Sequence, residues 1–318
     1  MTYKKNTMRK TFVKTIEKLF DEDPKVVLFL GDIGAFLLRK IKDKYPDRFF
    51  NVGISEAAMI SAAAGMALDG WKPFAYTITP FITSRVFDQI RVGVGCHSAN
   101  VKIVGIGSGV SYSSLGATHH SIEDIAIMRT IPGMRIFTPE NAEGTEKTLR
   151  EAARIDGPTY IRLTLNLPEQ TENQTNNNKF ADYRIARRGN SQVVIISFGE
   201  TVKESVLACE KLEKNGIKAT IVGINTIKPL NKEIINIISK AKYLFTVEEH
   251  SVIGGLGSAI AELVAELPAG TKPMLTRIGI DDKYLDIYGH KQELYQYLGL
   301  DGESIYRKVL QKCKKRQK

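Results

Sequence analysis

Disulfide chemistry has little to work with in this chain. Its three cysteines, Cys96, Cys209 and Cys313, are odd in number and scattered over 318 residues, so neither a disulfide framework nor a four-thiolate zinc site is expected. No apolar run approaches the roughly 18 residues that a membrane-spanning helix needs. The first twenty residues alternate basic and apolar side chains without the continuous apolar segment of a signal peptide. These absences predict a cytoplasmic chain with no membrane partner. Also missing are GxxxxGK[ST], a complete GxGxxG, GxSxG, HExxH and any His or Cys set at zinc spacing. P-loop, dinucleotide-binding, nucleophile-elbow and zinc-hydrolase readings therefore fall away, and no metal ligands are expected in this chain.

What is present is ordinary globular material with an excess of positive charge. Forty-three per cent of the residues are hydrophobic and 25% charged, which supplies a core and excludes disorder as the main state. The net charge of +10 fits a solvated basic surface, and equally attraction to an anionic cofactor, substrate or acidic partner. The densest basic stretch, 312–318, lacks interleaved aromatics, so no nucleic-acid partner is expected.

Apolar runs alternate with helical periods. Strands are predicted over 26–30, 49–52, 74–78, 101–106 and 159–163, with helices over 56–68, 85–94, 122–129 and 142–153. The Asn-rich stretch PEQTENQTNNNKF then breaks the pattern and reads as a linker. Beyond it come strands over 193–197, 219–223, 243–247 and 274–278, and helices over 202–214, 232–239 and 256–267. Strands separated by helices imply parallel sheets covered on both faces. The fold class expected is α/β: two α/β domains, 1–167 and 185–318, each a mostly parallel sheet flanked by helices, joined by a linker over 168–184.

The informative segment is NVGISEAAMISAAAGMALDG. Glu56 falls in the first turn of a helix narrowed by Ala57, Ala58, Ala62, Ala63, Ala64 and Gly65, so another body can approach it closely. A first-turn glutamate ordinarily just complements the helix dipole. Downstream, TPFITSRVFDQIR carries Phe81 and Phe87, and GVSYSSLGATHHSIEDIAIMRTIPGM sets His119 and His120 at a loop-to-helix junction. Histidines beyond the C-terminal end of a strand occupy the usual ligand position of open α/β sheets. In VEEHSVIGGLGSAI, Gly254, Gly255 and Gly257 open a helix. Tight turning explains them, with an anion at the helix N-terminus as the sharper reading.

The blocks GISEAAMISAAAGMAL, ITPFITSRVFDQIR and GATHHSIEDIAIMRTIPGM resemble, in order, the pyrimidine-binding domain of the transketolase family. TVEEHSVIGGLGSAIAE resembles that family's C-terminal domain. The resemblance implies thiamine diphosphate as cofactor. Glu56 matches the glutamate that hydrogen-bonds the aminopyrimidine ring, a role suited to a carboxyl group of raised pKa in a dry pocket. Phe81 matches an aromatic packed on the pyrimidine, with Phe87 nearby as a second cofactor contact or as core. His119 matches the histidine over the thiazolium, and with His120 and Arg162 makes the expected substrate-binding set; Glu56 and His119 are the expected catalytic pair.

The resemblance also implies a partner. Nothing here matches the family's diphosphate-binding domain, so the chain is expected to act as one half of a split transketolase. Its partner would be an N-terminal diphosphate-binding subunit holding Mg2+, in an α2β2 assembly that moves a two-carbon ketol unit between sugars or sugar phosphates. The substrate end departs from the family pattern. Leu115 replaces an acidic residue, Gly107 or Ser108 a histidine, and Thr164 a phosphate-binding arginine. A 2-oxoacid-decarboxylating subunit, of the deoxyxylulose-phosphate synthase or dehydrogenase-beta kind, and a non-catalytic scaffold stand as alternatives. Glu248, Glu249, His250 and the turn beside them read as structural, and His290 is left without a role.

Overall fold

A computed structural model describes residues 7–165 and 180–314. The first sheet contains β1 (Val26–Leu30), β2 (Phe49–Asn51), β3 (Lys72–Ile78), β4 (Lys102–Ile106), β5 (Arg135–Phe137) and β6 (Thr159–Leu163). The second contains β7 (Tyr183–Arg187), β8 (Val193–Phe198), β9 (Thr220–Ile224), β11 (Tyr243–Ser251) and β12 (Met274–Ile280). Between β9 and β11 lies a short strand, β10 (Thr226–Lys228), which pairs antiparallel with β5. The strand orders are β10-β5-β6-β4-β3-β1-β2 and β12-β11-β8-β9-β7. Apart from the β10–β5 and β7–β9 pairings, all ladders are parallel. The α/β class and mostly parallel sheets are as expected.

β10 changes what a domain boundary means here. The second half of the chain lends a strand to the sheet of the first, and one apolar cluster runs from Val27, Ala75 and Ile103 to Val194, Ile196 and Ile227. The linker expected over 168–184 lies outside the described residues as far as 179. Its last two positions, Tyr183 and Arg184, already belong to β7.

Several elements differ from their predicted form. The expected helix over 85–94 is three pieces: a 3-10 turn at Ser84–Val86, a short α-turn at Phe87–Gln89 and a π-helical stretch at Ile90–Gly95. Helix Met8–Glu22, unforeseen behind its basic residues, places Met8, Phe12, Ile16, Leu19 and Phe20 in the interior at helical spacing. Thr7 caps it by accepting from the Lys10 amide, and Phe12 stacks on Tyr76 at 4.2 Å. Helices Lys291–Leu298 and Gly302–Lys314 close the second domain. Among the described residues no helix is long and apolar enough to cross a membrane.

Candidate active site

Strand β2 ends at Asn51, and helix Glu56–Leu68 starts five residues later with Glu56 in its first turn. The helix turns Met59, Ile60, Ala63 and Ala64 into the core and leaves Ala57, Ala58, Ser61, Ala62 and Gly65 exposed. Glu56 itself is only 4% exposed. Its carboxylate does not sit in the dry pocket alone, because Arg85 donates to Oε2 across 3.1 Å.

Arg85 also lies over the Phe81 ring, its guanidinium carbon 3.9 Å from the centroid. Phe81 stands in the short helix Thr79–Ile82 that follows β3. The His119 ring meets Phe81 edge-on with centroids 5.2 Å apart, and Tyr112 approaches the same histidine at 5.6 Å. Glu56, Arg85, Phe81, His119 and Tyr112 therefore form one continuous cluster beyond the C-terminal ends of β2, β3 and β4, where open parallel sheets bind ligands. Phe87 is partly buried and packs against the hydrophobic core. Arg85 and Tyr112 were not legible as site residues in the sequence. Arg85 follows Phe81 by four residues, but the two stand in separate pieces, Thr79–Ile82 and Ser84–Val86, so their spacing alone carried no signal.

His120 is buried, and neither of its ring nitrogens makes a full hydrogen bond among the described residues. Burial lowers its pKa, while a Tyr112 backbone contact and the Glu249 carboxylate pull the other way. His119 lies with Nδ1 2.9 Å from the Thr118 hydroxyl.

The structure removes Arg162 from the substrate set. It is 3% exposed and its guanidinium is committed within the protein. Nε donates to Asp124 at 2.7 Å, and Nη2 donates to the Ser121 and Glu249 carbonyls at 3.3 and 3.0 Å. Tyr160 adds a 2.5 Å hydrogen bond to the same Asp124 oxygen. Burial pushes the Asp124 carboxyl upward, but Arg162, His250 and these hydrogen bonds outweigh it and hold the group below its ordinary value. Arg162 is thus a buried brace between the two halves of the chain.

At the departures from the family pattern, Leu115 is exposed and Ser108 is fully buried, its hydroxyl donating to the Leu163 carbonyl. Thr164 is buried with its amide on the Met8 sulfur. Arg9 donates to the Tyr76 hydroxyl at 3.3 Å, and its charge opposes the burial that raises the Tyr112 pKa.

The glycine turn of the second domain has a definite occupant. Glu248 accepts from the Leu256 and Gly257 amides at 2.7 and 2.9 Å, so the chain's own carboxylate fills the N-terminus of helix Leu256–Glu266 and no external anion is needed there. His290 is the N-cap of helix Lys291–Leu298, in a reciprocal box with Glu293. Among the described residues no group of three or more His, Cys, Asp or Glu could hold a metal ion.

Comparison with known proteins places this geometry in a family. Residues 4–169 match the family described as transketolase, pyrimidine binding domain, and residues 182–305 match transketolase, C-terminal domain. A protein of Methanocaldococcus jannaschii named as a putative transketolase C-terminal section is 38% identical over 314 residues, covering 97% of this chain and 96% of its own. One of the subunits of the apulose-4-phosphate transketolase of Actinobacillus succinogenes is 36% identical over 303 residues, covering 94% of this chain and 95% of its own. A solved structure described as a split gene transketolase, inactive beta4 tetramer, superposes with a TM-score of 0.83 at 31% identity, covering 96% of this chain and 97% of that one. Carrying the pyrimidine-binding and C-terminal domains in that order, the chain belongs to the transketolase family.

Proposed function

We propose that this chain is the C-terminal subunit of a split transketolase, transferring a two-carbon ketol unit from a ketose donor to an aldose acceptor with thiamine diphosphate. The observation that carries the reading is the Glu56–Arg85–Phe81 arrangement. A flat, N–H-bearing guanidinium already rests over the Phe81 ring and donates to the Glu56 carboxylate. An aminopyrimidine is also flat and also presents N–H donors, so these residues fit that ring in stacking and in hydrogen bonding. When bound, thiamine diphosphate supplies the carbanion chemistry.

Each side chain then has a task within its reach. Glu56 holds a proton at a pyrimidine ring nitrogen, in a buried site where that proton is not shared with water. Phe81 supports the ring face. His119, wedged between Phe81 and Tyr112, binds substrate oxygens and moves protons on them. His120 lies just behind and serves the same loop. The substrates in this reading are sugars or sugar phosphates.

The diphosphate and its Mg2+ belong to a separately encoded N-terminal subunit in this reading, in an α2β2 assembly in the cytoplasm. Support comes from the small-residue face beside Glu56, and from Ile54, which is 81% exposed at the foot of the same helix. A related chain is described as an inactive beta4 tetramer, consistent with activity that needs the partner.

Calorimetric titration of thiamine diphosphate with magnesium, into this chain alone and then with its partner, tests the reading. Saturable binding only in the mixture, followed by ketol transfer without carbon dioxide release from pyruvate, is the expected result. Carbon dioxide release would move the protein to the 2-oxoacid class, and absence of binding in both would leave a scaffold.

A further inference from the structure

The loop that carries His119 is held from behind by the second domain. It leaves β4 after Ile106, and Ser108 ties it to β6 through the Leu163 carbonyl. Gly109 and Ser121 then close it with two backbone hydrogen bonds of 3.1 and 2.9 Å. The next amide, Val110 N–H, turns away from its own domain and donates to Glu249 Oε1 at 2.9 Å. Gly109 makes room for that carboxylate. Its φ is +62°, and a Cβ there would collide with the Glu249 carboxyl group, so any other residue would drive Glu249 off.

Glu249 does not hold its place alone. Lys291, the first residue of helix Lys291–Leu298, sits 3.1 Å from Glu249 and 2.8 Å from Glu200, with all three side chains largely buried. Burial opposes the charge on Lys291, but the two carboxylates outweigh it and raise its pKa. Close before Lys291, the Gly289 amide reaches the Ser113 carbonyl at 3.4 Å. Tyr288 lies against Gly116, its ring filling the space where a Cβ would stand. The ammonium therefore anchors both Glu249 and the segment that covers the outer part of the loop.

We propose that Lys291 and Glu249 are positioning residues for the active-site loop: the second domain, through this ion pair, fixes the loop from Ser108 to Ile122 and thereby sets His119 between Phe81 and Tyr112. The kinetic consequence rests on the ketol-transfer reading. The structural consequence is independent of it. Glu56 and Phe81 stand on other elements, so loss of the ion pair should spare the cofactor and impair the chemistry that His119 serves.

The experiment compares the full chain, assembled with its partner, as wild type, Lys291→Met, Lys291→Arg and Lys291→Met/Glu200→Gln. The double variant keeps the net charge of the cluster unchanged. In Lys291→Met, amide exchange over 108–122 should quicken on the order of tenfold while β8 and β11 keep their protection. The kcat should fall roughly 10- to 100-fold, as for a small misplacement of a reacting group, with thiamine diphosphate affinity within about twofold of wild type. Lys291→Arg should restore most of both, and the double variant should fold normally yet share the loop defect.

Unchanged exchange and kcat in Lys291→Met would overturn the proposal. Exchange that rises equally through the whole second sheet in both Met variants would also overturn it, because Lys291 would then be a general stability residue. If the wild-type assembly transfers no ketol group, the functional reading fails, and the exchange comparison still decides whether the loop is held by Lys291.

Discussion

Arg85 and Glu56 share a 3.1 Å ion pair in which the arginine side chain is 47% exposed and the glutamate 4%. One partner is buried, and the other reaches it from the surface while lying over the Phe81 ring. The buried carboxylate takes its N–H donor from a half-exposed side chain.

The first prediction follows from that asymmetry. Arg85→Ala should destabilise the cofactor-free chain by roughly 1–3 kcal/mol, because Glu56 is left buried without its donor. Urea unfolding of the two chains measures this, and equal midpoints would show that the pair contributes nothing.

Glu56→Gln retains the shape and one acceptor but cannot hold and release a proton. Turnover in the assembled enzyme should drop by at least ~100-fold, the low end of acid–base contributions, with an unchanged circular dichroism spectrum. Activity near wild type would exclude Glu56 from the chemistry.

Arg162→Met leaves Asp124 charged in the interior, keeping its Tyr160 hydrogen bond but losing its guanidinium partner. Such a loss costs roughly 3–5 kcal/mol, whereas removing both charges costs much less. Arg162→Met should therefore unfold far more readily than Arg162→Met/Asp124→Asn in denaturant titrations. A variant that folds normally but binds donor poorly would instead return Arg162 to the substrate site.

His250 gives the fold an acid limit. Nδ1–H donates to the Ser251 carbonyl at 2.8 Å, and Nε2 accepts from the Ala126 amide at 3.3 Å, a pairing only the neutral ring satisfies. Burial lowers its pKa from 6.5 to about 4, against the opposing charge of Asp124. Between those values the unfolded chain binds a proton that the folded chain refuses. The contribution is complete above about pH 6.5 and lost as pH falls to about 4, worth on the order of 3 kcal/mol. Stability measured across that range should fall less steeply in His250→Gln than in wild type.

Much of the fold was legible in the chain itself. The run VVLFL is buried along its whole length, and an apolar run of that length has few other solutions. β10 was not legible. Three residues, Thr226–Lys228, carry no periodic signal, and their pairing with β5 depends on where the second half of the chain is brought. Helix Met8–Glu22 hid because its lysines and arginines dominate a linear reading, although its apolar positions recur at helical spacing.

The site divides along the same line. Glu56, Phe81, His119 and the family they point to came from local motifs, since a first-turn carboxylate and a strand-end histidine are fixed by the elements that bear them. Arg162 and Glu249 could not be assigned that way. Both are charged residues near strand ends, and only tertiary contact decides that one braces Asp124 and the other holds the Val110 amide. A charge acquires its role from the partner it meets, and here those partners lie 38 and 139 residues away along the chain.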